Sequence, residues 1–279
     1  MSAPVIHRTS AGQRSWSTII ALLRGVGSLM LIIAIIGVLW VGLLQVFDVS
    51  DYVGKNPADV WEYLFTTPEA AEHRADIASL LAVTLRDAAV GFVAGLLAAS
   101  ALATAVVTSR VVEAGVMPIA LILRSVPLIA LAPIIILLVG RGVGVVATMG
   151  GIVVLFPALV TIVFGLRSVT DQMRDVVFVY GGSNLDVLLK VAIPSALPAV
   201  FSAIRISVPG AFTGALLAEW LATGEGIGYA VVSAANRSQN TRVWALVVVV
   251  TIASLLLYMV AQLVERIVLD RFAMAAGTA

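Results

Sequence analysis

Residues 168–194 read SVTDQMRDVVFVYGGSNLDVLLKVAIP, and this stretch decides how the rest of the chain is read. It separates two long apolar runs in a sequence that is 61% hydrophobic and only 12% charged, with a mean hydropathy of +1.08. A charged island of this length cannot rest in hydrocarbon, so it projects into water and the runs beside it cross a bilayer. Within it, Asp175-Val176-Val177-Phe178-Val179-Tyr180 forms an amphipathic turn ending at Gly181. Glycine accepts a left-handed helix terminus at no steric cost. Gly182 follows, and Ser183 with Asp186 three positions on makes a capping-box start for a second helix. That helix puts Leu185, Leu188 and Leu189 on one face and stops at Pro194, with Pro198 tolerated in the first turn of the next helix. The order is helix, glycine hinge, helix, proline stop, membrane helix. On spacing alone, an interfacial connector and a helix shaped for a partner's groove fit equally.

Six spanning helices follow from the apolar runs on both sides: residues 26–47, 88–107, 126–139, 145–164, 197–221 and 243–264. An amphipathic lead-in over residues 76–87 precedes the second, and the third is short and contains a proline. None alternates with the strict period of a membrane barrel, so the fold class is all-α and polytopic. Arg8, Arg14 and Arg24 precede the first run as in a signal peptide, but that run is too long and lacks a cleavage site, which makes it a retained helix. With the N-terminus inside, Arg8, Arg14, Arg24, Arg110, Arg124, Arg167, Arg174, Lys190, Arg266 and Arg271 lie on the inner side. Lys55, Arg74, Arg141, Arg237 and Arg242 then lie outside. The excess of basic residues predicts N-in and C-in, which places the polar island in the cytoplasm.

Several chemistries lack their residues. Cysteine is absent, and His7 and His73 both lie outside the apolar runs, so neither thiolate nor intramembrane histidine chemistry has material. That excludes a rhomboid-like protease. A net charge of +1 without a basic tract speaks against nucleic acid. No Gly-x-x-x-x-Gly-Lys-(Ser/Thr) motif occurs; Gly54-Lys55 lacks the earlier glycine and is followed by Asn56. An ion-gradient-driven secondary transporter is the alternative function, against which stand the missing internal repeat and the few intramembrane carboxylates.

The island carries a specific resemblance. Residues 175–194 resemble the EAA loop of bacterial ABC importer permeases: Glu-Ala-Ala, three residues, Gly, nine residues, Ile, one residue, Leu-Pro. Asp175 stands at the Glu position, Val176 and Val177 at the two Ala, Gly181 at the Gly, Val191 at the Ile, and Ile193-Pro194 at Leu-Pro. The spacing holds throughout, while only Gly181 and Pro194 are identical. Arg124-Ser125-Val126-Pro127 resembles the Arg-x-Val-Pro stretch of these permeases. Leu217-Ala218-Glu219-Trp220 with Gly224-Glu225-Gly226-Ile227-Gly228-Tyr229 resembles their Ala-Glu and Gly-(Leu/Ile)-Gly-Tyr region. Within the family the chain is most similar to the nitrate, taurine and aliphatic-sulfonate group.

The resemblance implies a division at residues 1–75 and 76–279, the latter a transporter core with its coupling loop at 168–196. It implies a non-catalytic subunit of the bacterial cytoplasmic membrane that works with two ATPase subunits, a second permease chain and an extracytoplasmic binding protein. ATP and Mg would be held by the ATPase, with no cofactor in this chain. Asp175, Val176, Val177, Tyr180, Gly181, Gly182, Ser183 and Pro194 would contact the ATPase. The solute would be a small organic molecule or oxyanion. Ionisable groups at depth are pathway or gating candidates, and these are Glu219, Arg205 and Arg124. Glu219 is expected to be structural or gating, and Arg205 to snorkel to the inner surface. Gly91-x-x-x-Gly95, followed by Ala98, Ala99 and Ser100, predicts close helix packing inside the chain.

Overall fold

A computed structural model of the chain describes residues 34–276, with side chains through Arg271. The chain divides between Glu62 and Tyr63 into two compact units. In the first, α1 (Ala34–Val46) is a short apolar helix. It is the described part of the span expected at residues 26–47; residues 26–33 lie outside the described residues. The chain then turns tightly, and a Cβ on Gly54 would stand 2.7 Å from Leu44 and 2.8 Å from Val49. α2 (Pro57–Trp61) starts from a reciprocal capping box. Asn56 Oδ1 accepts from the Asp59 N–H at 3.0 Å, and Asp59 Oδ2 accepts from the Asn56 N–H at 2.8 Å.

The second unit holds α3 (Ala70–Thr108), α4 (Arg110–Ser125), α5 (Leu128–Val139), α6 (Val143–Leu166), α7 (Asp171–Val179), α8 (Asn184–Thr223), α9 (Gly226–Asn236) and α10 (Asn240–Ala276). All regular structure among the described residues is helical. α3, α6, α8 and α10 are each long and apolar enough to cross a membrane, and α4 with α5 makes a fifth candidate bent by 111°.

Small residues set the centre. A Cβ on Gly91 of α3 would fall 2.7 Å from the Cα of Gly150 on α6, and one on Gly214 of α8 would fall 2.5 Å from that same atom. Three helices therefore meet backbone to backbone at Gly150. Gly95 meets Val154 and the Gly151 carbonyl in the same seam, as the Gly91-x-x-x-Gly95 spacing predicts. Towards the other end of α6, Ala99, Ala103, Leu159 and Ala203 continue the core. α6 is 56% buried along its apolar window and α10 only 11%, so α6 is the axis and α10 lies at the periphery. Its Leu255, Leu256 and Leu263 are exposed, an arrangement stable only where the surroundings are themselves apolar.

Four expected elements come out differently. The second span and its lead-in are one unbroken helix, because an amphipathic first half and an apolar second half share one backbone ladder. The residues ahead of the third span, expected as a loop, form α4; its Gly115 and Pro118 look like breakers but are absorbed within the helix. Ser109 caps its start by accepting from the Val112 N–H. The real break is at Val126, held extended (φ −84°, ψ 125°) because it precedes Pro127. Pro194 stops nothing: α8 passes through it after a π turn, Leu188–Ala192, closed by the Ile193 N–H on the Leu188 carbonyl. The last span extends beyond both expected ends.

Candidate functional site

The elbow between α6 and α8 is assembled from short-range bonds. Thr170 caps α7 by accepting from the Met173 N–H at 3.4 Å. At its other end Gly181 takes φ +79°. The Gly182 N–H reaches the Val177 carbonyl and the Gly181 N–H the Phe178 carbonyl, both at 2.9 Å, which is a Schellman closure. The two glycines serve different needs. Gly181 supplies the left-handed backbone in open space, whereas a Cβ on Gly182 would stand 2.5 Å from the Val177 side chain. Ser183 then opens α8: its N–H donates to Asp186 Oδ2 at 2.9 Å, and its hydroxyl accepts from the Asp186 N–H at 3.3 Å. Lys190 closes on Asp186 at 2.6 Å, one helical turn on.

The apolar side chains of this elbow are uncovered. α7 buries none of its residues. Val176, Val179, Tyr180, Leu185 and Leu189 are exposed, Tyr180 to 88%. Asp175 is exposed on α7, Val177 is half-buried against Gly182, and Pro194 is exposed in α8. The structure thus brings together seven of the eight sequence-predicted coupling residues at one bend, with Pro194 three turns along α8.

The far end of α8 holds the opposite arrangement. A π turn, Glu219–Thr223, leads to the left-handed Gly224. Glu219 is fully buried there, although an acid beside the exposed Trp220 fits equally well at a headgroup surface. Its Oε2 accepts from the Gly228 N–H at 2.7 Å and from the Thr84 hydroxyl at 3.1 Å. Thr84 Oγ1 in turn accepts from the Ile227 N–H at 2.9 Å. The carboxylate is held at the N-terminus of α9, where free N–H groups favour an anion. Gly226 and Gly228 permit this closeness, since a Cβ on Gly226 would strike the Glu219 carboxyl and one on Gly228 the Leu216 backbone. Asp87, one turn along α3 from Thr84, is also buried and pairs with Arg86 at 2.9 Å. Thr84 and Asp87 appeared in the sequence only as part of the lead-in at 76–87, and α9 only through the Gly226-x-Gly228 spacing after Glu219.

The two arginines have neighbours that the sequence did not name. Arg205 does not stand alone: it pairs with Glu265 of α10 at 3.3 Å, and Ser202 donates to the same carboxylate at 3.2 Å. The partner is 60 positions on, out of reach of local pattern. Arg124, expected in an inner loop, ends α4 with its guanidinium 4.8 Å from the Phe156 ring centroid. Phe156 lies ten residues before the end of α6, so Arg124 is beside the middle of a candidate span.

Comparison with known proteins agrees with this architecture. The family described as binding-protein-dependent transport system inner membrane component matches residues 91–273. A probable ABC transporter permease protein of Haemophilus influenzae is 31% identical over 82% of this chain and 91% of its own length. The formylaminopyrimidine transport permease protein ThiX of Halalkalibacterium halodurans is 33% identical over 42% of this chain and 47% of its own length. The nitrate import permease protein NrtB of Leptolyngbya laminosa is 27% identical over 68% of each chain.

Proposed function

This chain belongs to the inner membrane components of binding-protein-dependent transport systems, the non-catalytic permease subunits of ABC transporters, and on that premise we propose that the elbow at Gly181 is the handle through which a separate ATPase moves it. One observation carries the reading: an amphipathic helix with no buried residue is joined through a Schellman closure to a candidate spanning helix of 40 residues. An exposed amphipathic helix of this kind suits a groove on a water-soluble partner. Because α8 runs through Pro194 without stopping, a displacement at Tyr180 is delivered along a contour of roughly 60 Å at 1.5 Å per residue. The far end of that rod is Glu219, locked to α3 and α9.

In this reading the N-terminus and the elbow face the cytoplasm. Two ATPase subunits, carrying ATP and Mg, grip two permease chains, and closure of the ATPases swings the paired chains between inward-open and outward-open states. An extracytoplasmic binding protein delivers the solute for import. The solute is a small organic molecule or an oxyanion, in keeping with the nitrate and formylaminopyrimidine named for two relatives. Arg124, at depth and uncommitted to a carboxylate among the described residues, is the pathway candidate; Arg205 is spoken for by Glu265, and Glu219 acts as a structural or gating lock.

The chain has no cysteine, so single cysteines give a clean test. Tyr180→Cys or Ser183→Cys, crosslinked in native membranes, is expected to capture the ATPase subunit. Labelling of Ser183→Cys by an impermeant maleimide from outside intact cells would end this reading, as would crosslinks that never contain an ATPase.

A further inference from the structure

Beneath the elbow lies a cleft of about 700 Å³, bounded by the end of α3, the start of α4, the end of α6 and the first turns of α8. Arg110, Arg167 and Arg174 line it against a single carboxylate, Glu113. Arg167 is committed to Glu113 at 2.7 Å. Among the described residues, Arg110 and Arg174 have no ion-pair partner. The cleft therefore carries two uncompensated guanidiniums, while Val107 and Leu188 give it apolar wall. Its volume is that of a small-molecule site.

We propose that this cleft binds a phosphodiester anion, the headgroup of an acidic phospholipid of the inner leaflet. The planar fork of a guanidinium matches phosphate oxygens, and the cleft is lined by one unpaired guanidinium from α4 and one from α7. The cleft lies where the apolar length of α6 gives way to the polar island. Basic pockets between spanning helices at such a level suit acidic headgroups. The residues beside the cations fit a lipid better than a free ion: Val111 follows Arg110 and is 83% exposed, and Phe164, one turn before Arg167, is 78% exposed. Acyl chains would cover such groups; free phosphate would leave them bare. A headgroup bridging Arg110 and Arg174 ties the root of α7 to α4, so acidic lipid would stiffen the elbow that the ATPase grips. The site rests on the inner-face placement of the elbow proposed above.

The test uses the full chain co-purified with its ATPase subunits in nanodiscs of phosphatidylcholine alone or mixed with phosphatidylglycerol. Native mass spectrometry then counts the lipids retained. The wild type is expected to retain phosphatidylglycerol in preference, and excess inorganic phosphate is expected to leave it in place. Each basic residue near an acidic surface contributes about fivefold, so Arg110→Gln with Arg174→Gln is expected to lower the preference roughly 25-fold. The Arg110→Lys, Arg174→Lys pair is expected to keep most of it, and Arg266→Gln, outside the cleft, all of it. Displacement of the lipid by inorganic phosphate would overturn the lipid assignment, as would an equal preference in the wild type and the glutamine pair. If the glutamine pair released the ATPase while lipid retention stayed unchanged, the cations would belong to that protein and the site would fall. Lipid counting reads the cleft alone, whereas impermeant labelling of Ser183→Cys reads the elbow's side of the membrane, so the two failures are distinguishable.

Discussion

At the Gly181 elbow each backbone closure joins residues no more than five apart, while Glu219 at the other end of α8 is held partly by Thr84, 135 positions away. The elbow exposes its apolar groups and the Glu219 knot buries its ionisable one. A helix bend held by its own caps can be pulled as a unit without disturbing the core. A carboxylate shared among α3, α8 and α9 cannot move unless all three do. Within one helix, therefore, one end is exposed and held only by local bonds while the other is locked into the core, which is the contrast the proposed handle requires.

Substitutions can break this contrast, and the largest effect is expected in the knot. Gly228→Ala drives a methyl group into the Leu216 backbone, an overpacking expected to cost about 3 kcal/mol. Its readout is a lowered thermal aggregation point in detergent together with poor accumulation in membranes. Glu219→Ala comes next: it strands the buried Gly228 N–H and leaves the Thr84 hydroxyl only the Leu80 carbonyl to donate to, for a loss of roughly 2 kcal/mol. Glu219→Gln keeps an acceptor in place and is expected to recover most of that stability. Equal melting of the Ala and Gln variants would show that the knot does not depend on these bonds.

The elbow is expected to separate stability from transport. A Cβ at position 181 meets no neighbouring atom, but Gly181→Val must hold φ near +79°, costing about 1–2 kcal/mol locally. Membrane insertion and global melting are expected to stay near wild type, while solute uptake and solute-stimulated ATPase activity fall together. Normal uptake by this variant would remove the elbow from the mechanism. The smallest effect is expected for Ser183→Ala, which deletes the α8 cap for about 1 kcal/mol. Faster hydrogen exchange confined to the amides of Asp186 and Val187 is its signature, with little change in uptake.

What could be read in advance divides along the same line. Gly181, Ser183 and Asp186 announce themselves because a left-handed terminus and a capping box depend on residues within a turn of each other. The Gly91-x-x-x-Gly95 face declares a close crossing for the same reason, yet nothing in it names Gly150 or Gly214 as the opposite surfaces. Proline misled once: Pro194 looks like an end, but the helix runs through it after a π turn, whereas Pro127 does break its helix by forcing Val126 extended.

The amino-acid order alone determined that the chain is helical, that it crosses a membrane, and that a capped bend separates two apolar runs, because periodicity, hydropathy and caps are properties of neighbouring residues. It also carried the family, through the spacing from Asp175 to Pro194. The pairing of Arg205 with Glu265, the closure of Thr84 and Gly228 around Glu219, and the placement of Arg124 beside Phe156 came only with folding. Each joins segments distant in the chain, and burial makes a partner obligatory for a charge without specifying in the local sequence which residue it will be.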